Sequence, residues 1–433
     1  MSQKTSLHSP TPPGLEQEFE NEAVPLSHRH STRSVSAVWF GFPMILTNAV
    51  FGGIIAFNLG FWRSILAILA GNLVLFAYVG ALSYLAGNTG LNFAMQARKT
   101  FGNRGYIIAS AFLSTVVIGW YAFQTGLTGT IVNATFGWNT TWVIVLATVL
   151  YTGVTFLGVR ALSVIGMIAA PMFVILGLVA LYFVAQQSDL SEISAYQGVH
   201  GGISMGIAMT MVIAGFADSG TMTADFTRWS RKGKSAVIAT FSAFPLANVV
   251  SLLSGVVIVS AGAGINPAQN GGDFLHLLTG HSALLNLLAL LFVFINLGSV
   301  CTHCLYNGAV GYSHLFKSKM RLWTVILGLT GGLLAVAGVW SYFLNWLSLL
   351  GVAVPPIGAV MIVDLLIMGH IVSSRPERAW RASAFIGWAF GTLCAGIAHI
   401  WFPDAGEALI GMLAGGAAYG VIQSQMAKKW VTA

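Results

Sequence analysis

Apolar runs of about 20 residues, the length a helix needs to cross a hydrocarbon core, recur between short polar breaks from residue 35 to residue 425. In such a core every backbone N–H and C=O must be satisfied by the protein itself, which leaves bundled helices as the natural outcome. Twelve spans are expected, at approximately 35–57, 64–85, 106–126, 142–159, 163–184, 201–223, 235–262, 282–310, 322–340, 342–368, 382–401 and 407–425. Charged residues make up 8% of the chain and apolar ones 56%, whereas roughly 25% charged residues is usual in soluble domains. The expected fold class is an all-α polytopic membrane protein with one integral domain over 35–425.

Nineteen of the 20 Lys and Arg residues lie in the amino-terminal segment, the carboxyl end or every second loop, and only Arg63 lies in the alternate loops. By the positive-inside rule both termini are expected in the cytoplasm, with the chain in a bacterial inner membrane. That topology also accounts for the formal charge of +7 without a nucleic-acid partner. Residues 1–34 carry Pro10, Pro12, Pro13 and the acids Glu16, Glu18, Glu20 and Glu22 but no signal-peptide pattern, so a disordered cytoplasmic tail is expected there. Residues 426–433 form a second, shorter tail. Cys301, Cys304 and Cys394 fall in apolar runs, too few and too badly placed for a disulfide framework.

The segment Met211–Lys234 is a poor lipid-facing helix. It sets Gly215, Asp218, Ser219 and Gly220 inside an apolar run and ends in basic residues. Glycines let the backbone leave helical geometry, and freed polar groups at membrane depth must line a cavity or be buried in protein. Of the 13 acids only Asp218, Asp225 and Asp364 fall in the membrane region. The last two lie near cytoplasmic ends, where Arg228 and basic loops can pair with them; Asp218 has no such exit and is the functional candidate. Span 1 is interrupted similarly, by Pro43, Thr47, Asn48, Gly52 and Gly53, five spans earlier. Matching interruptions an odd number of spans apart indicate inverted repeats: repeat one over 35–184, repeat two over 201–368, and extra helices over 382–425.

Span 3 places Trp120 and Gln124 four apart on one helical face. An aromatic plate beside an amide is what a planar heterocycle needs, one to stack on and one to read its edge, and Phe216 can supply a second plate. In span 8, Asn296, Ser299 and His303 share a face. Oxygens from Asn and Ser, with carbonyls of a broken span 1, can form a small hard-cation site. Cys301, His303 and Cys304 lack a second ligand pair at zinc spacing, and His303 with Asp218 is a possible proton-carrying pair. No phosphate-cradling loop or nucleophile–base pair points to an enzyme, and no ring of like residues points to a channel.

At these residues the chain resembles the nucleobase:cation symporter family, the group of cytosine, hydantoin and allantoin permeases. The resemblance rests on GNLVLFAYVGALSYLAGNTGL at 71–91, Ala97-Arg98, Phe101-Gly102, Gly119-Trp120, GTMTADFTRW at 220–229 and VPPIGAVMIVDLL at 354–366. It implies a five-plus-five inverted-repeat transporter fold with two further helices, alternating access, and substrate between spans 1, 3, 6 and 8. It also implies that Trp120 stacks on the substrate, that Gly215 and Ser219 offer backbone contacts, and that Phe216 closes the other side. Asn296 and Ser299 fall at the family's sodium site, beside Thr47 and Asn48. Three departures stand out: Val117 where cytosine permeases have a glutamine three residues before the tryptophan, with Gln124 four after it as in hydantoin permease-like members; Val300 where sodium-coupled members have a second hydroxyl; and Asp218 where cytosine permeases have a small neutral residue.

The expected function is a cation-coupled carrier importing a nucleobase or similar planar nitrogen heterocycle. Its substrate-site candidates are Trp120, Gln124, Gly215, Phe216, Asp218, Ser219, Cys301 and His303, and its sodium-site candidates are Thr47, Asn48, Asn296 and Ser299. The coupling ion is Na+ or H+, with no cofactor and no obligatory protein partner beyond the bilayer. Two alternatives remain open: a proton-coupled carrier of a vitamin-type pyrimidine or pyridine, and a non-transporting membrane receptor that uses the same pocket.

Overall fold

The structure, a computed structural model, describes residues 17–186, 189–199, 201–268, 271–369 and 377–431, and the named elements among them are all helical. Among the described residues seven helices are long and apolar enough to cross a bilayer singly: Phe61–Thr89, Tyr106–Phe136, Val159–Ala185, Gly233–Ser260, Ala283–Leu315, Trp346–Ile367 and Ala382–Trp401. The pair Thr32–Gly41 and Leu46–Leu59, bent by 53°, makes span 1. The shorter apolar helices Thr140–Phe156, Met205–Ala214 and Met320–Val336 serve as spans 4, 6 and 9, and Glu407–Val431 is span 12. Leu73, Val149, Leu178 and Leu333 are among many large apolar side chains that face outward, as a lipid-facing surface requires.

Two of the spans are broken where the sequence places glycine, proline and polar residues. Span 1 loses its helix between Gly41 and Leu46. Span 6 stops at Ala214 and resumes as the short turns Ala217–Thr221 and Ala224–Thr227. Span 7 contains a wide helical turn over Ser242–Ala247 that takes in Pro245, because a proline without an N–H disrupts the regular ladder.

Close approach of the second half of span 1 to span 7 rests on two glycines. A Cβ at Gly52 would run into the Leu252 carbonyl, and one at Gly255 into the Ala49 carbonyl. Between these helices a chain of amides crosses the bundle: Asn48 Nδ2 donates to Asn248 Oδ1 (2.7 Å), and Asn248 Nδ2 to Asn72 Oδ1 of span 2 (2.9 Å). Elsewhere Asp364 accepts from the Tyr419 hydroxyl at 2.5 Å, tying span 12 to span 10, and Asp225 accepts from the Phe93 N–H at 3.0 Å. Both acids therefore have local structural partners, although Asp225 Oδ2 is buried without a hydrogen-bond partner among the described residues.

The amino-terminal segment differs from the disordered tail expected through residue 34. Residues 1–16 lie outside the described residues, but Glu18, Phe19, Val24 and Arg29 are buried against the bundle, a short 3-10 turn spans Leu26–His28, and the first α-helix begins at Thr32. The acidic, proline-bearing composition concealed this because the segment is held by partners on other helices, which meet both its backbone carbonyls and the side chains of Glu18, Glu20 and Arg29.

The Gly52 contact gives a direct test of the helix packing. Gly52→Val must push span 1 off span 7 and is expected to cost at least about 2 kcal/mol, read as a lower melting temperature in detergent, whereas Gly137→Ala at an open loop position should cost only the strain of its positive φ of 73°.

Candidate substrate site

Breaking span 1 frees carbonyls that water cannot reach, and neighbouring side chains meet them. Ser299 Oγ donates to the Gly41 carbonyl (3.2 Å), and Asn296 Nδ2 to the Met44 carbonyl (2.7 Å). The Pro43 carbonyl takes two side-chain donors, Asn48 Nδ2 at 2.6 Å and Ser251 Oγ at 2.8 Å, besides the Ile45 N–H at 2.9 Å. Asn296 Oδ1 accepts from the Leu46 N–H at 2.8 Å, so one amide clamps both sides of the gap. Four cation-site candidates thus gather around one break, with different duties. Asn296 and Ser299 face the Gly41 and Met44 carbonyls, whereas Thr47 turns toward span 3 and donates to Gln124 Oε1 at 2.7 Å.

Opposite this break lies that of span 6. Phe216 adopts φ −135° and ψ 13° between its two helical pieces, and Asp218 follows on the short turn with Oδ1 accepting from the Ser219 N–H at 2.6 Å. Asp218 Oδ2, Ser219 Oγ and Gln124 Nε2 are buried and have no hydrogen-bond partner among the described residues. An unmade hydrogen bond on a buried group costs about 1–3 kcal/mol, so three in one place are expected to serve a ligand rather than the fold.

All three belong to residues lining one cavity. Its wall includes Phe42, Ile45, Thr47, Asn48 and Phe51 of span 1, Trp120 and Gln124 of span 3, Gly215, Phe216, Asp218 and Ser219 of span 6, and Val300 and Cys304 of span 8. The open volume is only about 10 Å³, roughly the space one water needs, so side chains must part to admit a heterocycle. At the end of span 1 away from Thr32 a wider vestibule of about 420 Å³ is lined in part by Phe57, Met211, Ala214 and Leu347. Toward the other end an aromatic plug closes the cavity: Phe42 meets Phe216 edge-on at 5.2 Å, and Trp39 contacts Phe42, Phe226 and Phe244 at 5.5, 5.5 and 5.2 Å.

Of the eight substrate-site candidates, Trp120, Gln124, Gly215, Phe216, Asp218 and Ser219 line the cavity, while Cys301 and His303 are not in its wall. Cys301 Sγ lies 3.6 Å from Thr125 Oγ1, on the side of span 8 facing span 3. His303 stacks on Phe42 with ring centroids 4.8 Å apart, and its Nε2 approaches the Val38 carbonyl at 2.8 Å. It braces the first half of span 1. The sequence reading missed Phe42, Ile45, Phe51 and Cys304; the spacing of Val300 and Cys304, four apart on span 8, is the signal that could have found the last.

The family described as permease for cytosine/purines, uracil, thiamine, allantoin matches residues 23–398. The chain belongs to that family. It is 28% identical over 352 residues to the cytosine permease of Escherichia coli, covering 80% of this chain and 81% of that one. It is 23% identical over 191 residues to the hydantoin permease of Microbacterium maritypicum, covering 42% and 39% of the two chains. Its fold matches that of Mhp1, a nucleobase-cation-symport-1 family transporter solved in a closed conformation with bromovinylhydantoin bound, with a TM-score of 0.79 at 20% identity over 95% of this chain and 96% of that one.

Placing His303 at the brace rather than in the cavity makes a measurable difference. His303→Ala leaves the Val38 carbonyl without its partner and is expected to destabilise the purified protein by about 2 kcal/mol, whereas Cys301→Ser should leave the melting temperature nearly unchanged.

Proposed function

We propose that this permease is a secondary transporter that imports a small planar nitrogen heterocycle of the nucleobase or hydantoin kind across a bacterial inner membrane. One observation carries the reading: around a single cavity walled by Trp120 stand an unpartnered amide donor on Gln124, an unpartnered carboxylate oxygen on Asp218 and an unpartnered hydroxyl on Ser219. A ring with adjacent N–H and C=O groups answers that set, its face stacking on Trp120, its carbonyl accepting from Gln124 Nε2 and its N–H donating to Asp218 Oδ2. The wall also carries the backbone of Gly215, and Phe216 closes it on the side of the plug. The names of the relatives agree with this substrate class, and the likeness in fold agrees with alternating access.

Coupling to a cation gradient is part of the proposal. Asn296 and Ser299, with the Gly41 and Met44 carbonyls, are the groups through which Na+ would hold the two halves of span 1 to span 8, provided the Asn296 amide turns its oxygen inward. Val300 adds no oxygen there. A second reading is favoured by that valine and by Asp218 Oδ2, which has no partner: Asp218 carries the coupling proton, as ionisable groups inside membranes commonly do.

Ligand-induced thermal stabilisation with cytosine, uracil, purines, allantoin, hydantoins and pyridoxine vitamers, each with and without Na+, tests the substrate class. A ligand at 100 times its Kd should stabilise by about 2.7 kcal/mol, and Gln124→Ala should weaken the effective ligand by about tenfold. No stabilisation by any of them would overturn the reading. Asp218→Asn separates the two modes of coupling in vesicle uptake: lost pH dependence with retained binding is expected of a proton carrier, and unchanged pH dependence with a sodium requirement is expected of the Na+ site.

A further inference from the structure

The segment before span 1 is tied to the basic face of the bundle by more specific contacts than a linker needs. Arg228, fully buried at the end of span 6, donates to the carbonyls of Glu18 and Phe19 at 2.8 Å each. The Glu18 carboxyl, only 2% exposed, receives the Tyr306 hydroxyl of span 8 at 2.7 Å and the Val159 N–H at the start of span 5 at 3.2 Å. Glu20 receives Asn92 Nδ2 and His314 Nδ1 on its carbonyl (2.8 and 3.0 Å) and the Met320 N–H on its carboxylate (2.9 Å). Arg29 closes the far end by donating to the carbonyls of Gly87 and Ser230 at 2.7 and 3.3 Å. The segment therefore joins spans 2, 5, 6, 8 and 9 across the mouth that lies beyond the aromatic plug.

We propose that residues 17–30 are a strap that locks this face of the carrier shut, and that Glu18 is its pH-sensitive clasp. The inference rests on the alternating-access reading above and on the basic face being cytoplasmic. Elements from both repeats converge on Glu18, so they cannot separate to open this mouth while its contacts hold. Opening must carry Glu18 from the protein interior into water.

Burial pushes the Glu18 carboxyl from 4.5 up to about 7, against the lowering effects of the Tyr306 hydrogen bond, the Arg228 charge and the Val159 N–H, with Glu20 adding a smaller upward push. Arg321 of span 9 is a further charge nearby, its Nε donating to the Phe156 carbonyl beside Gly158 at 3.1 Å, and Arg160 follows Val159 at the start of span 5. With the strap lifted, Glu18 returns to the ordinary carboxyl range. The locked state therefore binds a proton more tightly than the open one, and the lock gains stability as pH falls from about 7 toward 4.5 and is indifferent to pH above that window. Acidification of the cytoplasm would hold the mouth closed.

Cys304, in the cavity wall, can report opening. The full chain carrying Cys301→Ser and Cys394→Ser is placed in sealed inside-out vesicles, and a membrane-impermeant maleimide is added on the strap side. Glu18→Ala should speed labelling of Cys304 several-fold near pH 6. Tyr306→Phe, which removes one clasp contact and little volume, should do so more weakly. Relative to Glu18→Gln, which cannot ionise, the unmodified clasp should show about a tenfold rise in rate between about pH 5.5 and 7. Equal rates in all of these, with labelling still slowed by a mixture of cytosine, uracil, hypoxanthine and hydantoin, would overturn the lock and leave the carrier standing. Labelling that the mixture does not slow in any variant would overturn the carrier reading and the lock with it.

Discussion

A helix that breaks inside a bilayer leaves carbonyls and amides that no water can satisfy, and this bundle is arranged around meeting that demand twice. At span 1 the demand is met almost completely, by Asn296, Ser299, Asn48 and Ser251. At span 6 it is met by the local turn, which folds Asp218 back onto the Ser219 amide and leaves the outer carboxylate oxygen over. The two breaks face each other, so what span 1 no longer needs and what span 6 still lacks meet in one cavity. Gln124 joins the two sides, with its oxygen taken by Thr47 and its nitrogen turned to the site.

This division explains which residues were legible in the sequence. Glycine, proline and acid inside apolar runs mark a break whatever its partners are, so both breaks and Asp218 could be read directly. Trp120 and Gln124 were legible for a similar reason, since four-residue spacing fixes a shared face. Span 8 was harder because it is buried nearly all round through its middle. Periodicity shows that Asn296, Ser299 and His303 lie together but not which neighbour they face. They turned out to face the broken backbone, while Val300 and Cys304, one residue further round, face the cavity, and Cys301 faces span 3.

The amino-terminal segment illustrates a different limit. Its side chains are polar and its pattern is aperiodic, which is a sound basis for expecting disorder in isolation. What orders it is a buried arginine on another helix, whose guanidinium reaches two carbonyls of the segment. In the sequence Arg228 was legible as a partner for the acids near the cytoplasmic ends, not as an anchor for the segment before span 1. Its burial places a charge in the protein that the strap's carbonyls and the Glu18 carboxyl together offset.

The same face of span 8 links the strap to the site. Asn296, Ser299, His303 and Tyr306 recur at three- and four-residue spacing and meet, in order, the Met44, Gly41 and Val38 carbonyls of span 1 and the Glu18 carboxyl. A single row of side chains thus grips the broken span at three successive points and the strap at a fourth. Tilting span 8 away from span 1 would stretch these contacts together, because a helix is stiff along that length. Such a tilt would also withdraw His303 from Phe42, the ring that stands between the cavity and the plug. Such a tilt would make opening of the mouth and widening of the site one movement, opposed at one end by the break's hydrogen bonds and at the other by the Tyr306–Glu18 contact.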